Sequence, residues 1–355
     1  MKLLLKKIES LEAEENYMKR AMDLAMRGKG KVSPNPLVGS VIVHEGKIIG
    51  EGWHQEYGQA HAEVNAVNSV EDPSLLKEST VYVNLEPCAH HGKTPPCAEM
   101  LAEKQVAEVV ISNTDPNPLV AGKGIEILKN AGIKVRSGLM ENEGEKLNRR
   151  FFKAISSSRP YVILKWAQTR DGFIARENYD SKWISDEHSR KLVHKWRAEE
   201  DAIMVGTNTA LHDNPRLNVR DWEGNDPTRV VIDRNNRLSS ELALFDGSIS
   251  TLCYGSANEN SGNNLEKIAI EGEQTLEFIL EDLHQRKLHS LIVEGGSALL
   301  HSFIENDLWD EARVFQSPKE FEKGIAAPVL SIKPNSRETL VEDELLTYFR
   351  KNPAL

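Results

Sequence analysis

Cysteine is scarce in this chain: three residues in 355, at positions 88, 97 and 253. So low a count gives no disulfide framework, and a reducing, cytoplasmic setting is expected. Long apolar runs are missing as well. The opening Met1-Lys-Leu-Leu-Leu-Lys-Lys7 has only three consecutive apolar residues, too few for a signal peptide's apolar segment or a membrane span, so no membrane partner is expected. Nor is there an excess of positive charge. Lys and Arg number 44 against 54 Asp and Glu, a net charge of −10, which argues against a nucleic-acid partner and for a free small molecule. No internal repeat or long low-complexity tract appears. At 355 residues the chain exceeds one ordinary core, and two domains are expected.

Two of the three cysteines belong to the densest motif present. His61-Ala62-Glu63 is followed by Pro87-Cys88 and then by Cys97. One His, two Cys and a Glu two residues after the His are the parts of a zinc deaminase signature, H-x-E then P-C-x-x-C. There is one departure: Ala89 to Pro96 separate the cysteines, where the signature has two residues. Two thiolates and an imidazole can hold one Zn²⁺ per chain with the fourth position open, so that a bound water is acidified enough to attack an amidine carbon. Glu63 would then carry the proton from that water to the leaving ammonia. A structural zinc knuckle is the competing reading, because His90 and His91 lie between the cysteines. Such a site normally takes four protein ligands, and it would leave Glu63 without a task. Cys253, in a strand-like stretch, reads as a small buried hydrophobe.

The pattern along the chain alternates between strand and helix and divides near residue 150. Met18, Ala21, Met22, Ala25 and Met26 mark one face of a helix that stops at Gly28. Residues 38–43 and 47–50 read as a hairpin around Glu45-Gly46. A helix opening at His61, a strand over 80–85, a helix opening at Cys97 and strands over 108–112 and 133–136 follow. The polar stretch 141–159 reads as a helix ending in a linker before Pro160. Beyond it, strands are expected at 161–166, 202–206, 229–233, 250–254 and 290–294, with helices around 187–199, 275–285 and 297–306. The fold class is α/β in both halves, with boundaries set at 1–145 and 160–355.

The longer motifs carry a specific resemblance. Ser33-Pro-Asn-Pro-Leu-Val-Gly39, His61-Ala-Glu-Val-Asn-Ala66, Leu85-Glu-Pro-Cys-Ala-His-His-Gly-Lys-Thr-Pro-Pro-Cys97 and Asp115-Pro-Asn-Pro118 resemble the bifunctional deaminase–reductase family of riboflavin biosynthesis. The HHGKTPP insert between the cysteines is the distinguishing mark. Lys165, Asp171-Gly172, Ser181-Lys-Trp183, Arg197, Asp213-Asn-Pro-Arg-Leu217, Val231-Ile-Asp233 and Val293-Glu-Gly-Gly296 continue the likeness through the second half. The resemblance implies an N-terminal cytidine-deaminase-like α/β/α sandwich and a C-terminal dihydrofolate-reductase-like α/β domain. It implies zinc-dependent deamination of a 2,5-diamino-6-ribosylamino-pyrimidinone 5′-phosphate. It also implies NADPH-dependent reduction of the ribosyl group of 5-amino-6-(5-phosphoribosylamino)uracil to ribityl.

Residue by residue, it implies that His61, Cys88 and Cys97 hold zinc and that Glu63 is catalytic. Asn35 and Lys93 would contact the pyrimidine, and Asp115 and Asn117 the ribose-phosphate end; all four also read as ordinary turn or loop residues. Ala167, Trp183, Thr209, Asp213, Gly296 and Ser297 would face the nicotinamide cofactor; apart from the resemblance, Arg234 is expected at its 2′-phosphate because it stands just past a strand end. Lys165, Ser181, Arg197, Leu217, Arg220 and Glu294 fall on substrate positions. Arg197 and Arg220 offer the fork-shaped donors a phosphate needs, and the two glycines after Glu294 permit close backbone approach at a strand-to-helix turn. The chain departs from the family's pattern at Gln168-Thr169-Arg170 and over 315–324, and residues beyond Ser331 give no legible pattern. Those departures leave open a deaminase whose C-terminal domain only binds. A nucleic-acid-editing deaminase is disfavoured by acidity and by the insert. Homo-oligomerisation is left open.

Overall fold

The computed structural model describes residues 2–90, 95–117, 120–182, 184–256, 259–260, 264–270, 272 and 275–350, with the side chains of 2–10 and 259–260 left aside. Lys93 and Trp183 therefore lie outside the described residues. The chain forms two compact units, Met1–Ser157 and Ser158–Leu355.

In the first unit, helix α1 (Lys2–Met26) precedes the hairpin β1 (Gly39–His44) and β2 (Lys47–Trp53). Glu45 and Gly46 both take positive φ, 46° and 76°, the twist that a two-residue hairpin turn requires. Helix α2 (Ala62–Asn68), β3 (Thr80–Leu85), α3 (Cys97–Glu103), β4 (Glu108–Asn113), α4 (Lys123–Asn130), β5 (Lys134–Ser137), α5 (Glu141–Leu147) and α6 (Arg149–Ser157) follow. The sheet order is β2-β1-β3-β4-β5, antiparallel at the hairpin side and parallel from β3 onward. Alternate side chains of the strands serve opposite cores. Val41, Val43, Tyr82 and Val110 pack under Met18, Ala21, Met22 and Leu24 of α1. Ile42, Val81, Val83, Val109 and Ile111 pack under Ala66, Ala98, Leu101 and Leu128 of the other helices. This is the α/β/α layering expected from the alternation.

The second unit runs β6 (Tyr161–Gln168), β7 (Phe173–Ala175), α7 (Glu187–Glu199), β8 (Ala202–Val205), α8 (Thr207–Asp213), β9 (Thr228–Asp233), β10 (Thr251–Gly255), β11 (Glu259–Asn260), β12 (Leu265–Ala269), α9 (Thr275–Gln285), β13 (Ser290–Val293), α10 (Ser297–Glu305), β14 (Glu311–Gln316), β15 (Ile325–Ala326), β16 (Ser336–Thr339) and β17 (Glu344–Phe349). Its main sheet has the order β11-β12-β10-β9-β8-β13-β6-β14-β17-β16. The strands from β12 to β14 are parallel, and β11, β17 and β16 are antiparallel edges. Strand β13 returns between β6 and β8, so the order reverses there; ligands of open parallel sheets settle at the carboxyl ends beside such a reversal. Cys253 is a buried residue of one face's core cluster, beside its cross-strand neighbour Val231, as expected.

Three sequence readings are corrected. The helix over 141–159 is two helices broken at Asn148, whose amide is spent on the Leu37 backbone: Oδ1 accepts Leu37 N–H at 2.8 Å and Nδ2 donates to Leu37 O at 2.9 Å. The first helix begins far earlier than its apolar face suggests. The illegible tail supplies β16 and β17, which extend the sheet beyond β14.

Strand β2 approaches α2 through Gly52, where an added Cβ would lie 2.3 Å from Ala66 N and 2.5 Å from Ala62 O. Backbone cannot yield as a flexible side chain would. Gly52→Ala is expected to destabilise the first unit by about 1–3 kcal/mol, read as a lowered urea midpoint at unchanged m-value.

Candidate active sites

Three segments of the first unit converge on one point. His61 stands just before α2, Cys88 follows β3 by three residues, and Cys97 opens α3. His61 Nδ1 lies 3.5 Å from Cys88 Sγ and 3.4 Å from Cys97 Sγ, and the three donor atoms fall within 4.8 Å of one another. Tetrahedral zinc with ordinary Zn–S and Zn–N bonds needs an S···N edge of about 3.6 Å, so this donor set fits that ion. One thiol holds its proton more tightly than the other. The hydrogen bond from Cys97 and the neighbouring His61 hold Cys88 down at about 4, while the same bond and burial push Cys97 up. A dication displaces such a proton and makes both sulfurs thiolates.

Glu63, in the first turn of α2, is buried, and that burial, with Cys88 beside it, pushes its carboxyl up to about 7. Asn35 is brought to the same region through His54, a residue the sequence reading missed. Asn35 Nδ2 lies 3.1 Å from His54 Nε2, and His54 Nδ1 lies 3.1 Å from Ala60 O. Burial lowers the His54 pKa, so the ring is neutral, donates from Nδ1 and accepts from Asn35. Its ring also meets His61 edge-on at 5.4 Å between centroids. Asp115 accepts the Asn117 N–H at 2.8 Å in a tight turn, and burial raises its pKa.

In the second unit the carboxyl ends of β6, β8, β9 and β13 open on a cavity of about 800 Å³, within the range of ligand sites. Lys165, Ala167, Ser181, Thr209, Asp213, Leu217, Arg197, Arg220, Glu294, Gly296 and Ser297 all line it. Arg234 does not; it is exposed past the end of β9, and Arg237 from the same turn lines the cavity instead. Asp233 fastens that turn by accepting the N–H groups of Arg237 and Leu238, and Arg237 reaches Asn208 Oδ1 at 3.3 Å.

A buried ion group forms the floor. Arg197 turns its fork on Glu294, with Nε to Oε1 at 3.0 Å and an Nη to Oε2 at 2.8 Å, and donates again to Asn218 O. Lys165 Nζ lies 3.8 Å from the same carboxylate. Burial works against the Glu294 charge but is outweighed by Arg197 and Lys165, which hold its carboxyl down at about 2; burial lowers the Lys165 pKa. The expected phosphate fork of Arg197 is thus already engaged by Glu294. Arg220, about half exposed, is the more accessible cation of the two. His194, also missed, sits beneath it: Nδ1 accepts the Arg220 N–H at 3.4 Å and Nε2 lies 3.2 Å from Asp221. Burial, then Arg197 and Arg220, push His194 down to about 4.

The glycine pair does permit a close approach, but to protein. A Cβ on Gly295 would come within 2.9 Å of Gly206 N, and the Gly296 N–H donates to Thr209 Oγ1 at 2.7 Å. Ser297 Oγ donates to Ala326 O. Ser181 Oγ reaches Asp213 at 3.4 Å, and Leu217 is buried with φ 53°, a strained conformation of the kind that gathers at functional sites. The two departures from the family's pattern bind each other. Ser317 N donates to Gln168 O, Arg170 N to Lys319 O, and Phe321 and Glu322 N–H groups both point to Asp171. The Arg176 guanidinium covers the Phe321 ring at 4.1 Å.

Comparison with known proteins agrees with this division. Residues 11–113 match the family model of the cytidine and deoxycytidylate deaminase zinc-binding region, and residues 160–324 that of the RibD C-terminal domain. The riboflavin biosynthesis protein RibD of Aquifex aeolicus is 39% identical over 330 residues, 91% of this chain and 92% of its own length. The Escherichia coli protein of that name is 38% identical over 326 residues, 86% and 88% of the two chains. A Thermotoga maritima crystal structure titled as a diaminohydroxyphosphoribosylaminopyrimidine deaminase/5-amino-6-(5-phosphoribosylamino)uracil reductase superposes with TM-score 0.88 at 38% identity, covering 95% of this chain and 99% of that one. Acinetobacter baumannii RibD gives 0.88 at 36%, covering 96% and 100%.

The donor geometry sets an expectation for metal analysis. Purified protein should carry about one zinc per chain, and Cys88→Ser should lower that content several-fold, read by elemental analysis after dialysis.

Proposed function

The chain belongs to the RibD family of bifunctional riboflavin-biosynthesis enzymes, a deaminase joined to a reductase, and from that premise we propose the substrates, cofactors and residue roles as follows. The first unit hydrolyses the amino group of 2,5-diamino-6-ribosylamino-4(3H)-pyrimidinone 5′-phosphate. The second reduces the ribosyl group of 5-amino-6-(5-phosphoribosylamino)uracil with NADPH. The observation that carries the deaminase assignment is the convergence of His61, Cys88 and Cys97 on a tetrahedral edge beside a buried carboxyl.

Zinc held by those three residues supplies Lewis acidity and an acidified water at neutral pH. Glu63 does the proton work. A carboxyl whose pKa is lifted to about 7 can take a proton from the attacking water and return it to the amino leaving group near neutral pH. Asn35, oriented by neutral His54, presents its amide to the pyrimidine. Lys93 is assigned to the pyrimidine as well, and Asp115 and Asn117 to the ribosyl phosphate.

In the second unit NADPH supplies the hydride. Lys165 and Glu294 face the ribosyl carbon and its ring oxygen, with Arg197 holding Glu294 in place. Ser181 and Leu217 complete the substrate wall, and Arg220, propped by His194, meets the phosphate. Ala167, Thr209, Asp213, Gly296 and Ser297, which line the cavity, are assigned to the cofactor, and Trp183 is assigned to it as well. Arg237 takes the 2′-phosphate role first given to Arg234, because it is the cation of that turn that lines the cavity.

Two measurements test these roles. Glu63→Gln should keep its zinc yet release ammonia slower by about 10²- to 10⁴-fold; a rate near the parent's would remove Glu63 from the chemistry. Arg237→Ala should raise KM for NADPH by about 10- to 100-fold, the worth of a charge-assisted bond, and leave KM for NADH nearly unchanged. Arg234→Ala should alter neither, and the reverse pattern would return the 2′-phosphate to Arg234.

A further inference from the structure

Glu86 is a buried carboxylate that takes no part in the proton work assigned above, and it is 6% exposed. It stands between the end of β3 and the Pro87-Cys88 pair. Four backbone N–H groups donate to it: Asp115 at 3.2 Å and Gly122 at 3.0 Å to Oε2, Gly124 at 2.9 Å and Ile125 at 3.3 Å to Oε1. One oxygen therefore closes the loop that leaves β4, gripping it at residue 115 and again at residue 122. The other oxygen receives the first turn of α4, whose N–H groups have no partner within the helix. The residue at the cap position, Gly122 with φ 78°, has no side chain to serve them. Contact between the two segments is close as well as polar, since a Cβ on Gly124 would lie 2.0 Å from Pro87 O.

We infer that Glu86 is a positioning residue for deamination, fixing the distance between the metal ligand Cys88 and the loop bearing Asp115 and Asn117. The inference rests on the proposed contact of that loop with the ribosyl phosphate. The substrate must place its amino-bearing carbon at the zinc site while its phosphate arm lies on the loop, so the spacing between the two sets the register of the reacting atoms. A shift of about 1 Å in such a register can cost 10²-fold in rate. Only a group with acceptors on both arms satisfies four donors in this arrangement. An amide of the same shape must turn its NH₂ against either the loop pair or the helix pair.

The test compares parent, Glu86→Gln, Gly124→Ala and the double variant Asp115→Ala, Asn117→Ala. Each is assayed for zinc content, for kcat/KM on the intact substrate, and for the Ki of the pyrimidine lacking its ribosyl phosphate as a competitor of deamination. Glu86→Gln is expected to keep one zinc per chain, to lose about 10- to 100-fold in kcat/KM on the intact substrate, and to bind the truncated pyrimidine within about 3-fold of the parent. Gly124→Ala, which keeps the carboxylate but forces α4 off Pro87, should show the same split and serves if Glu86→Gln does not fold. Loss of zinc, an equal loss for both ligands, or no loss at all would overturn the inference. If the double variant keeps full kcat/KM on the intact substrate, the loop's contact with substrate is what fails; if it loses activity while Glu86→Gln does not, Glu86's role fails.

Discussion

A dication accepts its ligands only at fixed distances, and the first unit presents a His/Cys/Cys donor set that could meet that demand. An imidazole nitrogen must come within about 3.6 Å of each of two sulfurs, and none of the three residues is adjacent to another in sequence. The sheet solves this by ending β3 beside the starts of two helices, so that His61, Cys88 and Cys97 come from backbone already held by packed cores. Gly52 lets α2 lie against β2, Gly124 lets α4 lie against Pro87, and Glu86 ties that second approach with four N–H groups. The buried Glu63 carboxyl follows from the same packing, because the first turn of α2 is pressed onto the sheet. Its raised pKa is a consequence of that burial and of the neighbouring Cys88.

The second unit answers a different demand. Its cavity lies where the parallel strand order reverses, and its floor is a buried carboxylate neutralised by Arg197 and Lys165. Removing one member of a buried ion group leaves the others unpaired, typically at a cost of about 3–5 kcal/mol. Arg197 therefore belongs as much to the integrity of the floor as to any substrate. The rim is tied by other contacts. Gln168 and Arg170 exchange backbone hydrogen bonds with Ser317 and Lys319, and the Asp171 carboxylate accepts the N–H groups of Phe321 and Glu322.

The candidate donor set and Glu63 were legible as a cluster because zinc chemistry restricts residue types as well as spacing, and the long insert between the cysteines singled out one family. The alternation of strands and helices was legible because the central strands are packed on both faces, which leaves them nearly continuous apolar runs. Other features act through groups that carry no pattern. Glu86 works by receiving backbone N–H groups from residues 29 to 39 positions away, and His54 by joining Asn35 to Ala60. Arg234 and Arg237 are indistinguishable as letters; only the turn fastened by Asp233 decides which one faces the cavity. Asn148 reads as a helix residue until Leu37 is found to need its amide. Strand β16 was hidden because it is short, charged and exposed throughout, and β17 because its two buried residues, Leu345 and Leu346, are adjacent and so break the alternation of a half-buried strand.

The central claim is that each unit carries its own complete chemistry. It is tested most directly by the doubly substituted Cys88→Ser, Cys97→Ser protein, assayed in parallel for ammonia release from the diaminopyrimidine substrate and for NADPH oxidation with the deaminated pyrimidine. The account predicts that the first activity vanishes with the zinc, while the second stays within about twofold of the parent, since hydride transfer from the nicotinamide uses no metal. Loss of both activities from a protein that remains folded by circular dichroism would contradict it.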